Sequence, residues 1–176
     1  MHTLTLTRPL IQTATPLTFA DAAEQHLDDV FGYLLYLTRD RTLAEDLASE
    51  TFEKALRKWS RFDPRRGSAR TWLLALARST ALDWFRAESR RHRREQAAAQ
   101  PEAQEADFVE GLSPELQSAL ATLSAGEREV LALRIVIELD GDQTARVLGI
   151  SPTAVSTRLS RALHKLEEKV RNDDLR

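Results

Sequence analysis

The stretch "SPTAVSTRLSRALHKL" (151–166) sets short hydroxyl side chains and cations at helical spacing. Thr153, Ser156, Thr157 and Ser160 are small enough to let a backbone approach the base edges of a duplex, and Arg158, Arg161 and Lys165 can reach phosphates or guanine edges. The chemistry on offer is recognition rather than bond-making. A second set lies upstream: twelve basic residues between Arg57 and Arg94 face only Asp63, Asp83 and Glu88, too few acids to pair with the arginines. Trp72, Trp84 and Phe85 alternate there with Arg70, Arg78 and Arg86, and rings with cations can hold unstacked bases and a single-stranded backbone. Trp72 and at least one of Trp84 and Phe85 are nevertheless expected in the core. A third set is "EDLASETFEKALRKW" (45–59), where burying Phe52 and Trp59 leaves Asp46, Ser49, Glu50, Glu53 and Arg57 outside. That face is either a plain amphipathic surface or an acidic docking site for a basic protein.

The elements that must carry these residues are helical. Gly149 closes one helix by taking a left-handed backbone, Ser151 caps the next, and Pro152 fits its first turn. This is a helix-turn-helix pattern, whose second helix can enter a major groove. The second helix has an apolar seam at Val155, Leu159, Ala162, Leu163 and Leu166, leaving Thr153, Thr157, Ser160, Arg161 and His164 opposite. "SAGE" (124–127) reads as a capping box before Val130, Leu131, Leu133, Arg134 and Ile137; "DGDQ" (140–143) and "SPEL" (113–116) read as capped starts. Upstream, Phe19, Ala23, Leu27, Val30, Phe31, Leu34 and Leu37 form one stripe. "TLAE" (42–45) is expected to open a helix with Thr42 as cap, burying Ala44, Ala48, Phe52, Ala55, Trp59 and Phe62. After the turn "DPRRGS" (63–68), the segment from Ala69 starts apolar and ends basic, as a helix with a buried first half and a projecting second half would. Strand signals are nearly absent, and even "LRIVIEL" (133–139) sits within a helical period.

The expected fold is therefore all-α, two small helical domains joined by a flexible linker. The divisions are a tail (1–17), a first domain (18–94), an Ala/Gln/Glu-rich linker (95–112), a second domain (113–171) and a short tail (172–176). Each domain is small enough that its core alone is marginal, so docking to a larger partner would stabilise it.

Composition narrows the function classes. Among 176 residues there is no cysteine, which removes disulfides and cysteine-ligated zinc and suits a reducing compartment. The four histidines, at 2, 26, 92 and 164, have no ligand spacing, and the six glycines form no phosphate loop. No catalytic residue, metal or cofactor is expected. No apolar run approaches the roughly 20 residues of a membrane span, and the N-terminus lacks the pattern of a secretion signal. The expected location is the cytoplasm. Net charge is −2, so any polyanion binding must come from charge segregation rather than overall charge.

These features, in this order, resemble an extracytoplasmic-function (ECF) sigma factor of bacterial RNA polymerase. "AEDLASETFEKALRKWSRFDPRRGSARTWLLALARSTALDWFR" is similar to that family's first domain, sigma region 2. "LSAGEREVLALRIVIELDGDQTARVLGISPTAVSTRLSRALHKLEE" is similar to its second, region 4. The resemblance covers about residues 18–170. It implies that Asp46, Glu50 and Phe52, with Ser49, Glu53 and Arg57 beside them, dock on the polymerase clamp coiled coil. It implies that the loop Asp63–Arg70 and the helix from Arg78 to Arg91 read the melted minus-ten element, through Arg65, Arg66, Arg70, Arg78, Ser79, Asp83, Arg86 and Arg90. Ser151, Thr153, Ser156, Thr157, Arg158, Ser160, Arg161 and Lys165 would read the duplex minus-thirty-five element. Core polymerase (clamp and flap), promoter DNA and an anti-sigma protein are the implied partners. The linker would thread towards the active-site channel. Ser49, Ala69, Ser79 and Ser156 depart from residues frequent in the family, and Ser160 is a small residue at a variable contact position, so a borrowed promoter sequence does not carry over. Two other readings are a stand-alone helix-turn-helix regulator and a non-transcribing decoy for an anti-sigma protein.

Overall fold

The computed structural model describes residues 17–96 and 114–173. Residues 1–16 of the expected N-terminal tail, most of the expected linker, the proposed cap Ser113 and residues 174–176 of the expected C-terminal tail lie outside these residues. Among the described residues the chain is helical throughout, without strands.

The first unit is three helices. α1 (Phe19–Thr38) opens on a capping box, Thr18 with Asp21, and ends on Arg39 in the left-handed region (φ 56°). Its buried face is Ala22, Val30, Tyr33 and Leu34, whereas Leu27 of the expected stripe is 50% exposed. α2 (Arg41–Lys58) starts earlier than "TLAE" suggests: Asp40 is the cap, accepting from the Leu43 N–H at 3.0 Å, and Glu45 pairs with Arg41 instead of reaching back. Asp40 wins because an aspartate following a left-handed residue presents its carboxylate to the first turn without competition. Ala44, Leu47, Ala48, Thr51 and Ala55 are buried. A 3₁₀ turn (Trp59–Arg61) follows, and α3 (Ala69–Gln96) crosses both helices. Leu73, Leu74, Ala77 and Ala81 in its first half are buried, and its second half is mostly exposed, as its composition demands.

The second unit is α4 (Pro114–Ala121), α5 (Ala125–Leu131), α6 (Gly141–Leu148) and α7 (Pro152–Asp173). The helix expected through Ile137 breaks. Residues Ala132–Val136 form a π-helical turn, and Glu138 is left-handed (φ 58°). The wider turn swings Ile137 and Leu139 into the core and leaves Ile135 and Val136 more than half exposed. Leu163 of the expected seam is likewise 47% exposed, whereas Val155 and Ala162 are buried.

The two units share one core. Val30, Tyr33, Leu34, Leu73, Leu74 and Ala77 from the first cluster with Val130, Leu133, Ile137, Leu139, Ala145 and Leu148 from the second. α3 packs on α6, and α1 packs on the π turn.

Candidate nucleic-acid interface

The helix-turn-helix forms as the residue chemistry requires. Asp140 and Gln143 make a reciprocal capping box at the start of α6. Gly149 closes it at φ 65°, a conformation that penalises any side chain. Ser151 Oγ accepts the Ala154 N–H at 3.1 Å and Pro152 is the first residue of α7. Val155 and Ala162 anchor α7 inward. Thr153, Ser156, Thr157, Ser160 and Arg161 are exposed along one side, and Ser151 stands exposed at its head. Ser156 and Thr157 return their hydroxyls to the carbonyls of Pro152 and Thr153, which keeps both side chains close to the helix.

Two members of this expected set are otherwise engaged. Lys165 Nζ donates to Glu127 at 2.8 Å, linking α7 to α5, so in this conformation its ammonium is paired rather than free. Glu127 is buried, and Lys165 together with the Ser124 N–H pushes its carboxyl down to about 2. Arg158 is half-buried, its guanidinium lying beside Gly126. Arg161, with no hydrogen bond or ion pair among the described residues, is the cation most available on α7.

The cationic face of the first unit is more fully paired than its composition suggests. Arg65 bonds Asp63, Arg86 bonds Asp83 and Arg91 bonds Glu88. The shortage of local acids is met from other elements. Arg70 forks onto Asp29 of α1 at 2.7 Å through both Nε and Nη2, and holds that carboxyl below the usual carboxylate range. Arg78 forks onto Glu129 of α5 at 2.9 and 3.2 Å. The guanidiniums of Arg66 and Arg90 make no hydrogen bond or ion pair among the described residues, both residues are exposed, and Ser79 is exposed beside Arg78.

The turn between α2 and α3 carries a cavity of about 310 Å³ lined by Phe62, Trp72, Arg61, Arg66 and the turn backbone at Gly67–Ser68. Trp59 stacks on Phe62 with centroids 4.8 Å apart, and Trp72 meets both at an angle, so the aromatic floor is rigid. A rigid apolar floor with cations at the rim can receive one unstacked base and its phosphate. Arg146 of α6 also reaches this cavity. Sequence reasoning missed Arg61 and Phe62 as lining residues, although the turn signal beside them was visible. Nothing in the sequence pointed to Arg146, which arrives from the other unit.

Asp46, Ser49, Glu50, Glu53 and Arg57 are all exposed on α2. Glu50 pairs with Lys54 and Glu53 with Arg57, and Asp46 stands exposed one turn before Glu50. Phe52 is half-buried and packs on the core. Among the described residues no cluster of histidine and carboxylates could hold a metal, and no helix is long and apolar enough to cross a membrane.

An exposed helix-turn-helix and a cation-rimmed aromatic cavity on one chain have the chemistry of a nucleic-acid-binding protein, and comparison with known proteins gives the family. Residues 22–91 match sigma-70 region 2 and residues 113–166 match sigma-70 region 4. The ECF RNA polymerase sigma factor SigC of Mycobacterium tuberculosis is 33% identical over 160 residues, covering 89% of this chain and 84% of that one. The ECF RNA polymerase sigma factor SigX of Bacillus subtilis is 27% identical, covering 90% of each. Two solved structures are similar. The sigma factor RpoE in complex with the anti-sigma factor NepR from Bartonella quintana has a TM-score of 0.70 at 24% identity, over 87% of this chain and 96% of that one, and supports the fold. CnrH in complex with the cytosolic domain of CnrY has a TM-score of 0.65 at 26% identity, over 88% of each. The chain belongs to the ECF sigma factors of the sigma-70 family.

Proposed function

We propose that this chain binds core RNA polymerase and directs it to initiate transcription at particular promoters, acting in the cytoplasm without chemistry of its own. The observation that carries this is the presence on one polypeptide of two different DNA readers: an exposed, hydroxyl-lined helix sized for a major groove and a cation-rimmed aromatic pocket sized for an unstacked base. A duplex regulator needs only the first.

The division of labour in this reading comes from the family resemblance and is supported by which faces are exposed. α7 reads the duplex minus-thirty-five element, with Thr153, Ser156, Thr157 and Ser160 close to base edges and Arg161 reaching further. The 63–70 turn and the exposed side of α3 read the melted minus-ten element. Unstacking a base costs a few kcal/mol, which the Phe62–Trp72 floor and the neighbouring guanidiniums offset. Arg65, Arg66, Arg70, Arg78, Arg86 and Arg90 hold the backbone, with Ser79 and Asp83 beside them. Asp46, Ser49, Glu50, Glu53 and Arg57 dock on the polymerase clamp. Tethering both readers to one polymerase makes weak contacts cooperate through effective concentration. An anti-sigma protein is the regulator that the sigma complexes among its structural relatives suggest.

Run-off transcription tests this. Core polymerase plus this chain is expected to yield transcripts with defined start sites that neither component yields alone. Absence of such transcripts across a genomic library of the source would defeat the proposal. Tight duplex binding by the free chain would favour a stand-alone regulator instead.

A further inference from the structure

A groove of about 650 Å³ lies between the two units, away from the aromatic cavity and from α7. Its walls are apolar: Tyr36 and Leu37 of α1, Leu82 and Phe85 of α3, Ala121 of α4 and Ala125 of α5. All six are half-buried or exposed. The volume falls within the roughly 300–1,000 Å³ of sites that take small molecules.

The polar groups on this groove carry one sign of uncompensated charge. Arg39, which closes α1, and Arg128 of α5 both line it, and neither has an ion pair among the described residues. Glu129 lines it too, but its carboxylate is taken up by Arg78, at 2.9 and 3.2 Å. Arg128 Nη1 donates to the Leu123 carbonyl at 2.9 Å, which fixes the guanidinium and leaves its other donors over. The Tyr36 hydroxyl is buried without a hydrogen-bond partner among the described residues, a state that calls for a reason. Burial raises the ionisation of that hydroxyl, and Arg128 and Arg39 are both near enough to pull it the other way. Arg39 also holds a left-handed backbone at φ 56°, so a long cation stands where glycine would be the easier residue.

We propose that this groove binds an amphipathic carboxylate, with the carboxyl group between Arg39 and Arg128, the Tyr36 hydroxyl as a further donor, and an apolar body along Leu82, Phe85 and the two alanines. The chemistry excludes the alternatives in turn. A cation would meet two unpaired guanidiniums, and a purely apolar molecule would leave them uncompensated. A small hydrophilic anion would pair with the arginines and leave the walls wet. A carboxylate accepts from both guanidiniums in charge-assisted bonds, and its tail covers the rest. The proposal is independent of the sigma-factor reading, which assigns none of these groups to DNA or polymerase. Since the ligand touches both units, it binds the folded chain and raises the melting temperature by mass action.

The probe is dodecanoate, held below its micellar concentration and followed by calorimetric titration and thermal melts. Dodecyltrimethylammonium keeps the tail and reverses the charge, and acetate keeps the head alone. Saturable dodecanoate binding with a raised melting temperature is expected, and each control should bind at least about tenfold more weakly. No saturable binding, or equal binding of either control, overturns the inference.

Two variants locate the site. Arg39→Gly removes one guanidinium and suits the left-handed backbone, so affinity for dodecanoate should fall at least about tenfold while the ligand-free melting temperature does not fall. Ala121→Trp fills the groove from an exposed position and should cause a similar loss. Unchanged affinity in either folded variant overturns the inference, and if one variant does not fold, the other decides. Two other occupants are tested in the same experiments. A wild-type dimer in sedimentation that Ala121→Trp breaks would give the groove to a second copy. A synthetic peptide of residues 102–112, acidic and carrying Phe108 and Val109, that displaces dodecanoate and binds more tightly would give it to this chain's own linker. Either result overturns the carboxylate site.

Discussion

Lys165 of α7 and Glu127 of α5 meet at 2.8 Å, and the same Glu127 oxygen accepts the Ser124 backbone N–H at 2.8 Å. One carboxylate thus completes the α5 capping box and clamps the recognition helix to the element behind it. The angle of α7 against its support depends on a group that needs to be ionised.

The pH dependence follows in sign. Glu127 is held at about 2 against an ordinary 4.5, so its ionised form is favoured by folding. Its contribution is fully present above about pH 4.5 and is lost as the pH falls towards 2. Thermal melts of wild type should show the melting temperature falling over that window. Glu127→Gln should start lower at neutral pH and show a shallower acid limb. Asp29 and Asp63 are depressed in the same direction, by Arg70 and Arg65, so the difference between the two curves is the measurement. Superimposable acid limbs would remove the clamp.

Gly149 gives a second prediction. Its φ of 65° has open space around a built Cβ, so a substitution there meets backbone strain and no clash. Gly149→Ala should destabilise the chain by about 1–2 kcal/mol, which lowers the melting temperature of a small domain by roughly 4–8 °C per kcal/mol. Duplex binding by the polymerase complex should weaken with it, because the turn sets the crossing of α6 and α7. An unchanged melting temperature would show that the helix ends on something other than this turn.

How much of this was legible beforehand depends on the range of the interactions. Caps are local: Ser124–Glu127, Asp140–Gln143, Gly149 and Ser151-Pro152 could all be read, because each bond spans at most a few residues. Thr42 misled because Asp40 offers an equally good oxygen two residues earlier, and only the left-handed Arg39 decides between them. The π turn was invisible because "LRIVIEL" satisfies a helical period, and what widens it is the burial of Ile137 and Leu139 against the first unit. The same distance hid the fate of the arginines. Counting acids within the 57–94 segment could not reveal Asp29 or Glu129, which lie 41 and 51 residues from their partners. The pairing of Lys165 with Glu127 was hidden in the same way, because the two lie 38 residues apart.

The acidic face of α2 is predicted to act in docking and not in folding. Asp46 and Glu50 are exposed, and the one ion pair they contribute among the described residues, Glu50–Lys54, is a surface pair worth about 0–1 kcal/mol. Asp46→Ala with Glu50→Ala should leave circular dichroism and melting unchanged and weaken capture of core polymerase, more so at low salt. Undiminished capture would move the docking face elsewhere.

Lys165 and Arg161 give the sharpest contrast, because both are cations on α7 four residues apart and the structure assigns them opposite work. Lys165→Ala breaks the clamp: it should lower the melting temperature while leaving the salt dependence of promoter binding by the polymerase complex nearly unchanged. Arg161→Ala removes an exposed guanidinium that has no partner among the described residues, so the melting temperature should hold. If Arg161 touches a phosphate, the slope of log affinity against log salt should fall by about 1, uniformly across promoters. If it reads a guanine edge, binding should weaken by about 1–3 kcal/mol and discrimination should relax at one base pair. The measurement is promoter affinity at several salt concentrations beside thermal melts of the same two variants. A salt-slope change from Lys165→Ala equal to that from Arg161→Ala would mean that Lys165 leaves Glu127 when DNA arrives, and the clamp would then be a feature of the unbound chain alone.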